Sequence, residues 1–253
     1  MSKRLENSTK GYKQGEMTTA QIVTLVILIA SFLVVCYFIF VLNLWAEGDK
    51  EICHNSVILK AKGEGFIGEV ECKTSYACIS GEGECEDFKS TEKVKVKGDD
   101  YKKRQMVIEA IAEKLSDCWW MFGEGKISWG SPGATSIQCA VCYVIKFDSD
   151  VQNVVSEISY AELYDYLESS PKDNVQTYLH YLYGVNSVDE IKVPEQFKVN
   201  LTQDIISTGE KYSIITGVDD NLFTHDRLLE VFLIPTSETS QRLKCSGGYI
   251  TRA

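Results

Sequence analysis

One run dominates the pattern of apolar and polar positions, residues 22–42, IVTLVILIASFLVVCYFIFVL, in which no side chain is charged. A helix rises about 1.5 Å per residue, so a run of this length covers roughly the 30 Å hydrocarbon core of a bilayer while its backbone groups satisfy one another. A cleaved secretory signal is the weaker reading, because its apolar core is shorter and ends at small residues, whereas this run closes on Asn43-Leu44-Trp45-Ala46-Glu47.

Past the run the pattern breaks into shorter periods. Residues 101–122 place Val107, Ala110, Ile111, Lys114, Leu115, Cys118, Trp119 and Phe122 at three-and-four spacing, which predicts an amphipathic helix entered through Asp99 and Asp100 and stopped by Gly123. Ser159-x-x-Glu162 is a capping box opening a helix through Glu168. Pro171 breaks it, Asp173 then caps a second through Tyr183 ended by Gly184, and Ser187-x-x-Glu190 caps one more turn before Pro194.

Strands are expected at 56–61 and 68–73, around the turn Lys62-Gly63-Glu64-Gly65, and at 93–97, where valine alternates with lysine. After the turn Ser131-Pro132-Gly133, residues 137–147 are apolar enough on both sides to be a central strand. Residues 196–206 alternate as an antiparallel strand with one wet face; 211–217 and 228–234 supply two more, separated by Asp219-Asp220-Asn221, with the last placed inside the sheet. The fold class expected is α+β: a transmembrane helix, then a disulfide-stabilised ectodomain with a mostly antiparallel sheet and several helices. The divisions are a tail at 1–16, a membrane segment at 17–46, a cysteine-rich β-hairpin unit at 47–100 and the main domain at 101–253.

Charge orients the span. Lys3, Arg4, Lys10 and Lys13 precede it against Glu6 and Glu16, while Glu47, Asp49, Lys50 and Glu51 follow, so the basic bias predicts a cytoplasmic N-terminus and an outer C-terminal bulk. The first 16 residues, polar and short, read as disordered or surface-lying. They hold 4 of the chain's 26 basic and 2 of its 36 acidic residues, which leaves 22 against 34 beyond them. A net charge of −12 there opposes nucleic-acid and anionic-lipid binding.

Cysteine usage tests the topology independently. Cys36 lies in the span; the other eight, Cys53, Cys72, Cys78, Cys85, Cys118, Cys139, Cys142 and Cys245, all follow it. An even set confined to the outer side reads as a disulfide framework, although eight cysteines allow 105 connectivities. Cys118, on the buried stripe of its helix, is expected to bond to the sheet, and Cys245 to fasten the tail. Cys139-x-x-Cys142 raises zinc and thiol-redox alternatives. A strand, however, points residues three apart to opposite faces, so distant partners are expected for each. No metal or cofactor is assigned.

Other motifs are weaker. Gly63-x-Gly65-x-x-Gly68 matches a dinucleotide fingerprint as a string without the helix that its phosphate needs. The acidic stretch from Gly81 to Asp87 lacks a calcium loop's alternating ligands and reads as a solvated turn. Asn200-Leu201-Thr202 is an accessible glycosylation sequon, whereas Asn7-Ser8-Thr9 falls on the inner side. His54, His180 and His225 have no nucleophile motif beside them. Tyr160, Tyr164, Tyr166, Tyr178, Tyr181 and Tyr183 pack on the sheet or form a recognition face.

The basic leader ending in Gly15 before an apolar helix resembles type IV prepilins, which implies processing after that glycine, although the family's glutamate shortly after cleavage is absent. Cys118-Trp119-Trp120-Met121-Phe122-Gly123-Glu124-Gly125-Lys126, followed by Cys139-x-x-Cys142-Tyr143-Val144-Ile145-Lys146-Phe147-Asp148 behind a single span, resembles a set of uncharacterised archaeal membrane-anchored proteins. That likeness covers roughly residues 15–150 and carries no activity. The expected function is a membrane-anchored extracellular binding or structural module for an unknown protein or surface ligand. It is held by the bilayer through residues 22–42, with self-association through the span open. An assembly subunit and an extracytoplasmic thiol-redox enzyme are the alternatives.

Overall fold

A computed structural model describes residues 19–41, 44–62, 70–127, 137–191, 200–201, 203–219, 227–242, 245 and 251. The chain forms two compact units, residues 1–45 and 46–253.

The first unit holds α1 (Thr19–Val41), which starts ahead of the apolar run. Every side chain from Thr19 to Tyr37 is exposed, at a mean hydropathy of 2.5, so the helix is long and apolar enough to cross a membrane. Its two hydroxyls are satisfied within the helix: Thr24 donates to the Ala20 carbonyl and Ser31 to that of Leu28, each at 2.9 Å. No proton on either is left needing water. Cys36 is a free, exposed thiol.

In the second unit a five-stranded sheet is built from β1 (Ser75–Ser80), β2 (Glu92–Lys95), β3 (Ile137–Phe147), β6 (Tyr212–Asp219) and β7 (Arg227–Pro235), in the order β2-β1-β3-β6-β7. A separate pair is made by β4 (Glu157–Ser159) and β5 (Ile205–Ser207). The sheet is mixed rather than mostly antiparallel: β1 runs parallel to both β2 and β3, and only β6 pairs antiparallel with its neighbours. A parallel pair needs a crossover, and residues 81–91 make the one from β1 to β2 without a helix. β3 is central, as its two apolar faces require. β7 is an edge strand, not an interior one; Val231 and Leu233 face the main core, while Phe232 and Ile234 are buried on the other face.

Against one face of the sheet lies α3 (Asp100–Met121), capped by the Asp99 carboxylate, which accepts the Lys102 N–H at 2.8 Å. Gly123 follows it at φ 82°, where a Cβ would strike the Ile127 side chain at 2.2 Å, so only glycine fits. Val107, Ile108, Ile111 and Leu115 of α3 pack with Ala77, Ile79, Ile145 and Phe147 of β1 and β3 in the main core. A second, small cluster of Cys139, Ile215, Phe232 and Ile234 lies apart from it, with Val141 and Cys245 against it.

Several expected elements differ. Residues 56–61 are not a strand but the end of α2 (Leu44–Lys62), since Cys53 and Val57, four apart, are both buried along one side of a helix. The aliphatic run Val57-Ile58-Leu59 satisfies either period, and good helix formers follow it. The turn expected at 62–65 and all three glycines of the fingerprint string fall outside the described residues, apart from Lys62 in α2. So do the turns expected at 131–133 and beyond Asp219, and His225. Segment 47–100 therefore supplies a helix and two strands of the common sheet rather than a hairpin.

Downstream, α4 (Ser149–Val154) and α5 (Tyr160–Ser169) follow β3, and Ser159 caps α5 as the box predicts, accepting the Glu162 N–H at 3.1 Å. α6 (Tyr178–Tyr183) is shorter than expected. Thr177 caps it, and Asp173 instead closes a tight turn by accepting the Val175 and Gln176 N–H groups at 2.7 and 3.0 Å. Val188–Glu190 is a single 3-10 turn without a side-chain cap from Ser187. Of the strand expected at 196–206, residues 196–199 and 202 lie outside the described residues; Ile205 and Ile206 pair with β4, and Asn200 opens a turn in which its carbonyl accepts the Gln203 and Asp204 N–H groups. α7 (Thr239–Arg242) is the last helix among the described residues.

Candidate functional site

All eight cysteines beyond α1 are paired: Cys53–Cys72, Cys78–Cys85, Cys118–Cys142 and Cys139–Cys245. They join α2 to the approach to β1, close the β1–β2 crossover, bolt α3 to β3, and tie the far face of β3 to the C-terminal segment. Cys139 and Cys142 are not bonded to each other. Between them β3 alternates regularly, so Cys142 faces α3 with the main core and Cys139 the second cluster. A bulge after Val141 then turns Tyr143 to the α3 side as well, next to Cys142.

That bulge completes a polar network in an apolar setting. The Tyr143 hydroxyl donates to Asp117 of α3 at 3.2 Å, and Asp117 also receives Lys50 of α2 at 2.6 Å. Lys114, buried on the α3 stripe, bridges Asp117 at 3.4 Å and Glu92 of β2, with its ammonium 5.3 Å from the Tyr143 ring centre. Burial, with the charges of Asp117 and Glu92, pushes the Tyr143 phenol far above its ordinary range, so it stays a proton donor. Two cations and two carboxylates balance, and the network pins α2, β2, α3 and β3 together. Beside it the His54 ring stacks on Trp120 at 4.1 Å, its Nδ1 2.7 Å from the Trp120 carbonyl.

The crossover has its own cradle. Asp148, 1% exposed, caps α4 by accepting the Val151 N–H at 2.9 Å, and reaches back to accept the Gly81 and Gly83 N–H groups at 3.1 and 3.0 Å. Ser80 Oγ lies 2.8 Å from the same carboxylate, while Asp150 accepts the Glu82 N–H at 3.1 Å. Close approach favours both glycines: a Cβ on Gly81 would strike Asp150 Cβ at 2.9 Å, and one on Gly83 would press on the Asp148 carboxylate at 3.1 Å. Burial raises the Asp148 pKa, but hydrogen bonds from Val151, Ser80, Gly81 and Gly83 outweigh it and hold the carboxyl below its ordinary value. A loop that gathers N–H groups around carboxylates has the opposite polarity to a calcium loop, which gathers carbonyl oxygens.

Two of the tyrosines close the sheet edge. Tyr160 donates to the Leu233 carbonyl at 3.1 Å and Tyr183 to that of Val231 at 2.9 Å, both on β7. Tyr178 and Tyr181 donate to Glu113 and Glu124 at 2.7 and 2.9 Å. Alternate carbonyls of an edge strand point outward as a template for another chain, and here phenols occupy two of them. Tyr160→Phe and Tyr183→Phe are each expected to lower unfolding stability by about 1 kcal/mol, read from urea midpoints. A loss under a few tenths in both would show that water replaces the phenols freely.

Among the described residues no three His, Cys, Asp or Glu side chains gather as around a metal ion. His180 is exposed on α6, where it borders an open depression of about 400 Å³ with Asp173, Gln176 and Asn186. Sequence reasoning missed Asp148 and Asp117, which bear no motif. Lys114 was visible as a cation on a buried stripe, a pattern that demands a buried carboxylate partner. No protein-family model, curated protein or solved structure matches the chain.

Proposed function

We propose that the chain is a single-pass membrane protein, with its N-terminus in the cytoplasm, that displays residues 46–253 on the outer side as a binding or structural module. The observation that carries this reading is the pairing of an apolar helix exposed from Thr19 to Tyr37 with a unit in which every cysteine is bonded. An apolar helix exposed over 19 residues is stable only if lipid or protein covers it, and four disulfides persist only in an oxidising space. The interior chemistry of the unit supports a scaffold: its buried charges are used to join elements, and its tyrosines to finish an edge.

The test is protease added to intact cells, combined with thiol counting on the denatured chain. The reading predicts digestion of the 46–253 bulk and one alkylatable thiol, Cys36, rising to nine only after reduction. Protection of the bulk, or eight thiols free before reduction, would overturn it.

A further inference from the structure

We infer that Asn200 is a site of N-linked glycan attachment. This rests on the proposed orientation. The chain contains two Asn-x-Ser/Thr triplets, Asn7-Ser8-Thr9 before α1 and Asn200-Leu201-Thr202 in the second unit, and neither has proline at the middle position. A transferase needs its asparagine at the surface, on backbone that an enzyme can approach. Asn200 meets that requirement better than the strand expected from its alternating sequence would.

It is exposed, at the head of a turn rather than within a ladder. Its carbonyl accepts the Gln203 N–H at 3.0 Å and the Asp204 N–H at 2.7 Å, and its own N–H donates to the Asp204 carboxylate at 2.7 Å. The turn is anchored from below: Leu201 packs on the main core, and Ile206, fully buried, pairs with Ile158 of β4. Asn200 and Gln203 are exposed, and Thr202 lies outside the described residues. Among the described residues, Asn200 belongs to neither the core nor a strand pairing.

The class of co-reactant is a saccharide carried on a polyprenyl phosphate. Nδ2 of Asn200 attacks the anomeric carbon, forming a C–N bond as the C–O bond to the carrier phosphate breaks. The carrier departs with that electron pair and the amide gives up one proton. Such donors act on the outer side of the membrane, so Asn7 serves as an internal control on orientation.

The experiment uses the full chain made in its own cells, digested with trypsin and read by mass spectrometry, beside the intact-cell protease test. The expected result is a glycan mass on peptide 199–211, none on peptide 5–10, loss of the mass in Asn200→Gln and in Thr202→Ala, and its retention in Thr202→Ser. An unmodified 199–211 in a chain whose bulk is digested from outside overturns the glycan inference and leaves the orientation standing. A glycan on 5–10 with 199–211 bare overturns both.

Discussion

Replacing Cys139 and Cys245 together with alanine is expected to remove about 4.8 kcal/mol of unfolding stability, the largest loss among the four bridges. The bond closes a sequence separation of 106, so reduction frees far more denatured-state entropy than opening Cys78–Cys85, at a separation of 7 and about 2.4 kcal/mol. Whole-domain stabilities run to roughly 5–15 kcal/mol, so the first variant sits near the unfolding threshold while the second remains folded. Denaturant midpoints of the full chain in detergent micelles separate the two. Equal losses would mean that both bridges act through native packing rather than by restricting the unfolded chain.

Asp148→Ala is expected to cost about 4 kcal/mol, because it leaves the Val151, Gly81 and Gly83 N–H groups without their acceptor in a buried setting. Asp148→Asn keeps one acceptor oxygen and is expected to lose about half as much. The pH dependence follows from the direction of the shift. The folded carboxyl titrates below its ordinary value, so the native state holds fewer protons than the unfolded one as acid is added. Its stabilisation is complete above pH ~4 and is lost as pH falls through the folded pKa. The wild-type chain should therefore lose stability on acidification below that point more steeply than Asp148→Asn. Parallel profiles would show that Asp148 is held by packing and not by its charge.

Much of the fold was legible from period alone. The α3 stripe, the central strand 137–147 and the capping box at Ser159 are signals carried by several residues at once, and they leave little room for a second reading. Segment 56–61 was misread because a short aliphatic run fits both periods, and the deciding fact, Cys53 and Val57 buried together one turn apart, comes from packing. Residues 81–87 of the crossover read as a solvated turn because their order comes from Asp148 and Asp150, distant in sequence. β1 (Ser75–Ser80) lies beyond the strand expected at 68–73, and its parallel pairing was invisible because nothing in a strand's own composition names its neighbour. Of the candidate sites, the separate fates of Cys139 and Cys142 followed from strand geometry, whereas the Tyr143 network needed a bulge that no local pattern announces.

The bridges Cys118–Cys142 and Cys139–Cys245 overlap along the chain, so both meet on β3. Tension drawn between the two ends would pass from α3 through one sulfur pair, back along a few residues of the central strand and out through the other. The loop between Cys139 and Cys245, about 360 Å if fully drawn out, is shunted from that path and contributes no slack while the bridge holds. Under shear the unit would lengthen through the unbridged stretch between Cys85 and Cys118, and the length held behind Cys139–Cys245 would be released only on reduction.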